Sequence, residues 1–308
     1  MTDICFGYAC INNSLPSRFR TMQRKQYLEL AAKDETLAME KAKSITIFNL
    51  KEALRILRWN RENKVPFYRF SSDLVPLATI AELRRSRTWY DDPEIRQNCA
   101  AIHHHVETYG PRTSLHPGQY CVLNTPNPDV LTTSLFDLQH HVTLAKMLGA
   151  TALIVHIGGG YGNKTKAMER FIEVAHGLDE TTRSLLCIEN DDRTYTLEET
   201  CFVGEKAGLP VVFDVHHHRC NPCDAPAKHL ACALNTWGDR RPKVHISTGV
   251  TGPTDRRHAD YIAPEDFEVL AQMLADAGSS VADVDIMVEA KEKDKALLQL
   301  REQIAQSL

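Results

Sequence analysis

ALIVHIG (152–158), LLCIEND (185–191) and VVFDVHH (211–217) follow one another along the chain, and each is an apolar run of strand length that ends in histidine or carboxylate. Working outward, the same pattern recurs in RTSLHPG (112–118), KVHISTG (243–249) and DIMVEAK (285–291), and two further strand candidates stand at ICFGYAC (4–10) and FYRFSS (67–72). Continuous apolar runs are what strands covered on both faces require. Between them lie stretches of helical periodicity at 35–60, 92–109, 130–148, 164–180, 196–207, 226–236, 264–277 and 292–306. Strands that alternate with helices predict a parallel sheet. Eight such units in 308 residues, with no composition break, repeat or low-complexity tract, predict a single (β/α)8 TIM barrel spanning 1–308. The alternative is a doubly wound open sheet. It would gather ligands at one switch point, whereas polar residues here end nearly every strand.

In a parallel barrel all strand C-termini point to one rim, so residues far apart in sequence meet there. His116, His156, Glu189, Asp214, His217, His245 and Glu289 would converge at that mouth. Histidines mixed with carboxylates are the donor set of divalent metals, and this many donors would serve more than one ion. Each residue taken alone also has a structural reading. His156 with Gly158, Gly159, Gly160 and Lys164 could form a phosphate-cradling turn. Glu189 ends an apolar strand and would be costly to bury unpaired. His103, His104 and His105 sit in a predicted helix and read as surface. His216 and His218 flank His217 and, by strand alternation, point away from it. Cys220 and Cys223 have the spacing of a zinc knuckle but lack a second pair, which favours a turn with free thiols.

Composition narrows the function classes. Hydrophobic content of 43% and charged content of 25% are ordinary for a soluble domain. A net charge of −4 argues against wholesale coating of nucleic acid and leaves room for a local basic face. Nine cysteines without a secretory N-terminus fit a reducing cytoplasm. No apolar run reaches membrane-spanning length, and nothing calls for an obligate protein partner. Three segments predicted to follow strands are basic: SRFRTMQRKQ (17–26), RRSRTWYDD (84–92) with Arg84, Arg85 and Arg87 beside Trp89 and Tyr90, and TDRRH (254–258). By the barrel rule they border the metal mouth. Ordinary surface charge explains any one of them, but three on one face suit a polyanion with exposed bases.

GYACIN (7–12), YRFSSDLVP (68–76), SLHPGQY (114–120), VHIGGGYGNK (155–164), IENDDR (188–193), FDVHHH (213–218), RPKVHIS (241–247) and MVEAK (287–291) together resemble the UV-damage endonuclease family, relatives of endonuclease IV-type apurinic endonucleases. The resemblance covers nearly the whole chain in family order. It implies a barrel with up to three divalent ions, often manganese, with zinc, magnesium or cobalt as alternatives. It also implies double-stranded DNA as substrate, nicked immediately 5′ to cyclobutane pyrimidine dimers and 6-4 photoproducts to leave a 3′-hydroxyl and a 5′-phosphate. Carried over by position, the ligands are His116, His156, Glu189, Asp214, His217, His245, His258 and Glu289; His258 enters through the resemblance alone. The implied grouping is His116, His156 and Glu189 on one ion, Glu189, Asp214, His245 and Glu289 on a second, and His217 with His258 on a third. Glu189 and Lys243 are the implied catalytic residues, and Lys243 matches a lysine that carries a carboxylate in this family. Gln119 and Tyr120 match residues that probe the lesion, and Tyr8 and Asn12 a pair near the damaged nucleotides. Asp73 stands where some members have histidine.

Rival readings are an apurinic/apyrimidinic endonuclease, a xylose-isomerase-like sugar isomerase and a non-catalytic damage-binding protein. Isomerase sites rely mostly on carboxylates, whereas this one is rich in histidine.

Overall fold

Eight short strands close on themselves in chain order: β1 (Cys5–Ala9), β2 (Phe67–Arg69), β3 (Arg112–Leu115), β4 (Ala152–His156), β5 (Leu186–Glu189), β6 (Val211–Asp214), β7 (Lys243–Ile246) and β8 (Asp285–Val288). All pairings are parallel, and β8 returns to β1 through Cys5↔Asp285 to Tyr8↔Val288. This (β/α)8 barrel comes from a computed structural model that describes residues 4–16, 18–80, 89–118 and 120–307. The described helices are α1 (Arg24–Ala31), α2 (Glu35–Glu62), α3 (Pro93–Tyr109), α4 (Pro128–Leu148), α5 (Lys164–Gly177), α6 (Glu180–Leu185), α7 (Leu197–Ala207), α8 (Val215–Cys220), α9 (Pro226–Asn235), α10 (Pro264–Asp276) and α11 (Lys293–Ser307). None is long and apolar enough to cross a membrane.

Helix boundaries follow local chemistry. The Asp92 side chain accepts from Glu94 N and Ile95 N, proline opens α3, and Gly110 closes it at φ 67°. Asn127, Pro128 and Gly149 do the same for α4. Each device satisfies backbone groups that a helix end leaves unpaired.

Strand parity sorts the side chains into two cores. Phe6, Tyr8, Leu153, Val155 and Ile188 belong to the large outer core under the helices. Ala152, Ile154, Cys187, Val212 and Trp237 form one inner cluster, and Ala9, Phe67 and Met287 another. The next residues of inner parity, two positions on, are His156, Glu189, Asp214, Arg69 and Glu289. The apolar filling of the barrel is thus the platform for the polar rim.

Two expectations need correction. His217 does not lie on a strand. The chain turns into α8 directly after Asp214, whose Oδ1 caps the helix by accepting from His217 N at 2.8 Å. Strand alternation therefore says nothing about His216 and His218, both of which are buried. His105, read as surface, is buried on α3 under the Tyr109 ring, with centroids 4.7 Å apart.

At the opposite end of the barrel, Asp285 is fully buried at the start of β8. It accepts from Arg112 Nε at 2.7 Å, Arg241 Nε at 3.1 Å and Lys243 Nζ at 2.9 Å. Lys243 is itself buried, so removing the carboxylate would strand an ammonium in the barrel. Asp285→Ala is expected to cost about 3–5 kcal/mol, the range for breaking a buried ion pair, as read by urea unfolding. A loss below about 1 kcal/mol would mean that water reaches Lys243.

Candidate metal centre

Four imidazoles surround one carboxylate at the rim. Glu189 ends β5 with its side chain 1% exposed, and its Oε2 lies 3.3 Å from His116 Nε2 and 3.9 Å from His156 Nε2. Its Oε1 lies 2.7 Å from His245 Nδ1 and 3.7 Å from His217 Nδ1. The register explains the convergence: His156 pairs with Glu189 across β4–β5, and Asp214 with His245 across β6–β7. Among the described residues, three groups of side chains are placed so that they could hold a metal ion: His116, His156 and Glu189; Glu189, Asp214 and His217; and Glu189, His245 and Glu289. Glu189 is common to all three. The first group is the one the resemblance implies. The others differ from the implied grouping, because α8 brings His217 to 3.7 Å from Asp214 Oδ2. His258 stands apart, 4.0 Å from Glu289 and edge-on to His216.

The surroundings orient these donors. His116 Nδ1 donates to its neighbour Pro117 O at 2.9 Å, which turns Nε2 toward Glu189 Oε2, 3.3 Å away. His217 Nδ1 donates to Asn190 O at 2.9 Å. Asn190 also bridges β5 and β6, donating to Asp214 O and accepting from Asp214 N. Arg69, at the end of β2, donates to Glu289 Oε1 at 2.5 Å. Neither Asn190 nor Arg69 was singled out from sequence. Arg69 had a signal, since it ends a strand as the ligand candidates do, but it is not a ligand type.

Burial alone would raise the Glu189 pKa. His245, His116 and His156 outweigh it and hold the carboxyl well below the usual range. Burial likewise disfavours the Glu289 anion, and Arg69 with His245 reverses that. Burial would lower His217, but Asp214 and Glu189 carry it up from 6.5 to about 9.

A profile of the family described as UV-endonuclease UvdE matches residues 4–307. The chain belongs to this family. A UV DNA damage endonuclease of Bacillus mycoides (strain KBAB4) is 35% identical over 305 residues, covering 96% of this chain and 93% of the relative. The crystal structure of SacUVDE superposes with a TM-score of 0.82 at 27% identity, covering 98% of each chain. Endonuclease IV from Thermus thermophilus shares the fold, with a TM-score of 0.58 at 16% identity and coverage of 98% and 99%.

The structure places the remaining site expectations of this UvdE-family chain unevenly. Tyr120 is 82% exposed on the loop after β3. Gln119, Arg84, Arg85 and Arg87 lie outside the described residues. Tyr8 and Asn12, expected near DNA, are buried. Parity turns Tyr8 to the helix side of β1, where it donates to Asn60 Oδ1 at 2.6 Å and accepts from Asn12 Nδ2 at 2.8 Å. Lys243 shares parity with His245 but sits two residues below it, bound to Asp285 and 4.3 Å from the Phe67 ring centroid. That places it one layer below the rim donors. The third basic segment is largely neutralised: Arg256 pairs with Asp192 and Arg257 with Asp255.

The raised pKa values of His217 and His245 set a pH dependence. Ligation needs a neutral imidazole, so below about 9 an ion must displace a proton from His217. Affinity for manganese or zinc should therefore rise between pH 6.5 and 9, with proton release on binding. In metal-free protein the protonated His217 contributes stability that is fully present below 6.5 and lost as pH rises through about 9. His156, whose pKa burial lowers, titrates below that window. Calorimetric titration in buffers of different ionisation enthalpy checks this. Affinity independent of pH would remove His217 from the ligands.

Proposed function

We propose that this endonuclease hydrolyses the phosphodiester immediately 5′ to ultraviolet photoproducts, cyclobutane pyrimidine dimers and 6-4 photoproducts, in double-stranded DNA. The products would be a 3′-hydroxyl and a 5′-phosphate. Up to three divalent ions would be held at the barrel mouth, manganese foremost, by His116, His156, Glu189, Asp214, His217, His245, Glu289 and, at the edge, His258. Work at the nucleoid in the cytoplasm without a protein partner belongs to the same proposal.

The observation that carries it is the single buried carboxylate shared by three donor groups. The donor set also fits a cation on independent grounds. Asp214 Oδ2, 3.7 Å from His217 Nδ1, is buried with no hydrogen-bond partner. A buried polar atom left unsatisfied costs about 1–3 kcal/mol, and a cation beside Asp214 Oδ2 relieves that cost. Mixed imidazole and carboxylate donors suit manganese, zinc or cobalt. Ions bound there supply Lewis acidity, which lowers the pKa of water and offsets phosphate charge.

The chain's own groups do the rest. Glu189 fixes the spacing of the donor groups because all three share it. Pro117 O and Asn190 O hold His116 and His217 in one ring orientation. Arg69 neutralises Glu289, so the mouth is less negative toward an incoming phosphate. Tyr120 presents its ring to solvent beside His116, where it can enter a gap in the stack. A distorted pyrimidine pair stacks poorly, so displacing it costs less than displacing normal bases, and that difference supports selectivity. The basic segment with Arg84, Arg85 and Arg87 is proposed to track the phosphate backbone.

Glu189→Gln keeps the volume and removes the charge. It should lower both bound metal and nicking of irradiated plasmid by more than the roughly 10–100-fold typical of residues that only orient a ligand, with an unchanged circular dichroism spectrum. Wild-type turnover at full metal content would refute the shared-carboxylate assignment. Tyr120→Ala should leave metal stoichiometry intact and reduce the preference for photodimer over undamaged duplex. Equal loss on both duplexes would count against a probing role. An abasic duplex in the same assay decides between this reading and an apurinic endonuclease.

A further inference from the structure

The loops after β3 and β4 are locked into one body by a buried polar network. Asn124 is fully buried, and its Nδ2 donates to Gly159 O at 2.7 Å and to Tyr195 Oη at 3.1 Å. Tyr195 Oη donates in turn to Gly159 O at 3.0 Å, and Arg170 Nε donates to Asn124 O at 2.9 Å. Gly158 has φ 114°, and a Cβ there would lie 2.3 Å from Asn124 Oδ1 and 2.8 Å from Val122 Cγ1. The glycine run after His156 is therefore shaped to receive Asn124, and its Gly159 carbonyl serves the network rather than an anion.

Out of this braced turn stands Tyr161. Its backbone has φ 47°, in the left-handed region. Non-glycine residues adopt that region uncommonly, and glycine does so without steric cost. Glycines occupy the positions on both sides, so the turn itself gives no reason for an aromatic residue here. The Tyr161 side chain is 47% exposed. Its inner edge covers Gly159, whose built Cβ would be 3.2 Å from the ring, and Arg170 Cζ lies 5.7 Å from its centroid. The loop leaves the rim at His156, as the Tyr120 loop leaves it at His116.

We propose that Tyr161 is a second DNA-stacking residue, which packs against a base or deoxyribose of the duplex while Tyr120 engages it from the neighbouring loop. It is a positioning residue for the endonuclease reading above and rests on that reading for its substrate. Because Asn124, Tyr195 and Arg170 tie the two loops together, both tyrosines ride on one rigid support. Stacking then orders little flexible chain on binding. A residue kept in an uncommon conformation on a rigid loop at a ligand-facing rim is where backbone strain tends to be retained for binding.

The test compares Tyr161→Gly and Tyr161→Phe in the metal-loaded full chain. Glycine suits φ 47°, so Tyr161→Gly should melt no lower than wild type and bind the same amount of metal. It should raise KM for a photodimer duplex by about tenfold, within the span expected for one base–aromatic stack, with the loss falling more on KM than on kcat. Tyr161→Phe should recover most of that loss, since the ring and not the hydroxyl does the stacking. Unchanged KM in the glycine variant, a lowered melting temperature that accounts for its defect, or a phenylalanine variant as impaired as glycine would each overturn the proposal. A wild-type protein that binds duplex DNA through Tyr161, with the same variant pattern in equilibrium affinity, yet nicks no photodimer would sink the lesion reading and leave the stacking role standing.

Discussion

A carboxylate sealed inside a barrel is unfavourable unless positive or hydrogen-bonding groups replace its water, and the whole rim is arranged around that requirement at Glu189. Imidazoles from β7 and α8 and from the ends of β3 and β4 reach its two oxygens. Their positions depend in turn on strand register, on Asn190 holding β5 to β6, and on the immediate turn from Asp214 into α8. Loosening any of these would leave charge uncompensated in a site with little access to water. That energetic penalty makes the cluster rigid as well as chemically competent.

The two ends of the barrel solve the same problem in opposite ways. At the floor one carboxylate, Asp285, receives the Arg112 and Arg241 guanidiniums and the Lys243 ammonium, whose pKa burial lowers. At the rim the carboxylates receive histidines, whose charge is conditional on pH and ligation. Pairs sealed from water suit an end that holds the strands together, whereas imidazole partners suit the end proposed to exchange protons for metal ions. Arg69 is the exception at the rim: it pairs a guanidinium with Glu289 and, together with His245, keeps that carboxylate ionised.

Above the cluster, rigidity continues into the loops. Asn124, Tyr195 and Arg170 join the segments after β3 and β4, which carry the exposed tyrosines at 120 and 161. The segment after β7 carries arginines whose charge is met by Asp192 and Asp255. Composition by itself does not show which of these charges are already paired. Pairing across loops is a tertiary property that a count of charges cannot reveal.

Chain-local signals determined the architecture. Apolar runs of strand length, separated by stretches of helical periodicity, predict eight β/α units, and the closed barrel bears that out. The convergence of His116, His156, Glu189, Asp214, His245 and Glu289 was legible too, because parallel strands deliver their ends to one rim whatever the distance in sequence. Other features depended on the third dimension. Tyr8 faces the helices because strand parity is counted from a register that only pairing sets. His217 joins Asp214 because the chain turns helical where alternation suggested a strand. Lys243 and His245 share one strand and one face, yet the lysine serves the floor and the histidine the rim, since Asp285 lies level with the first. Periodicity records which face a residue takes along its own element. Depth in the barrel, pairing across loops and the partner of a buried charge are set by other elements, and those only the tertiary structure decides.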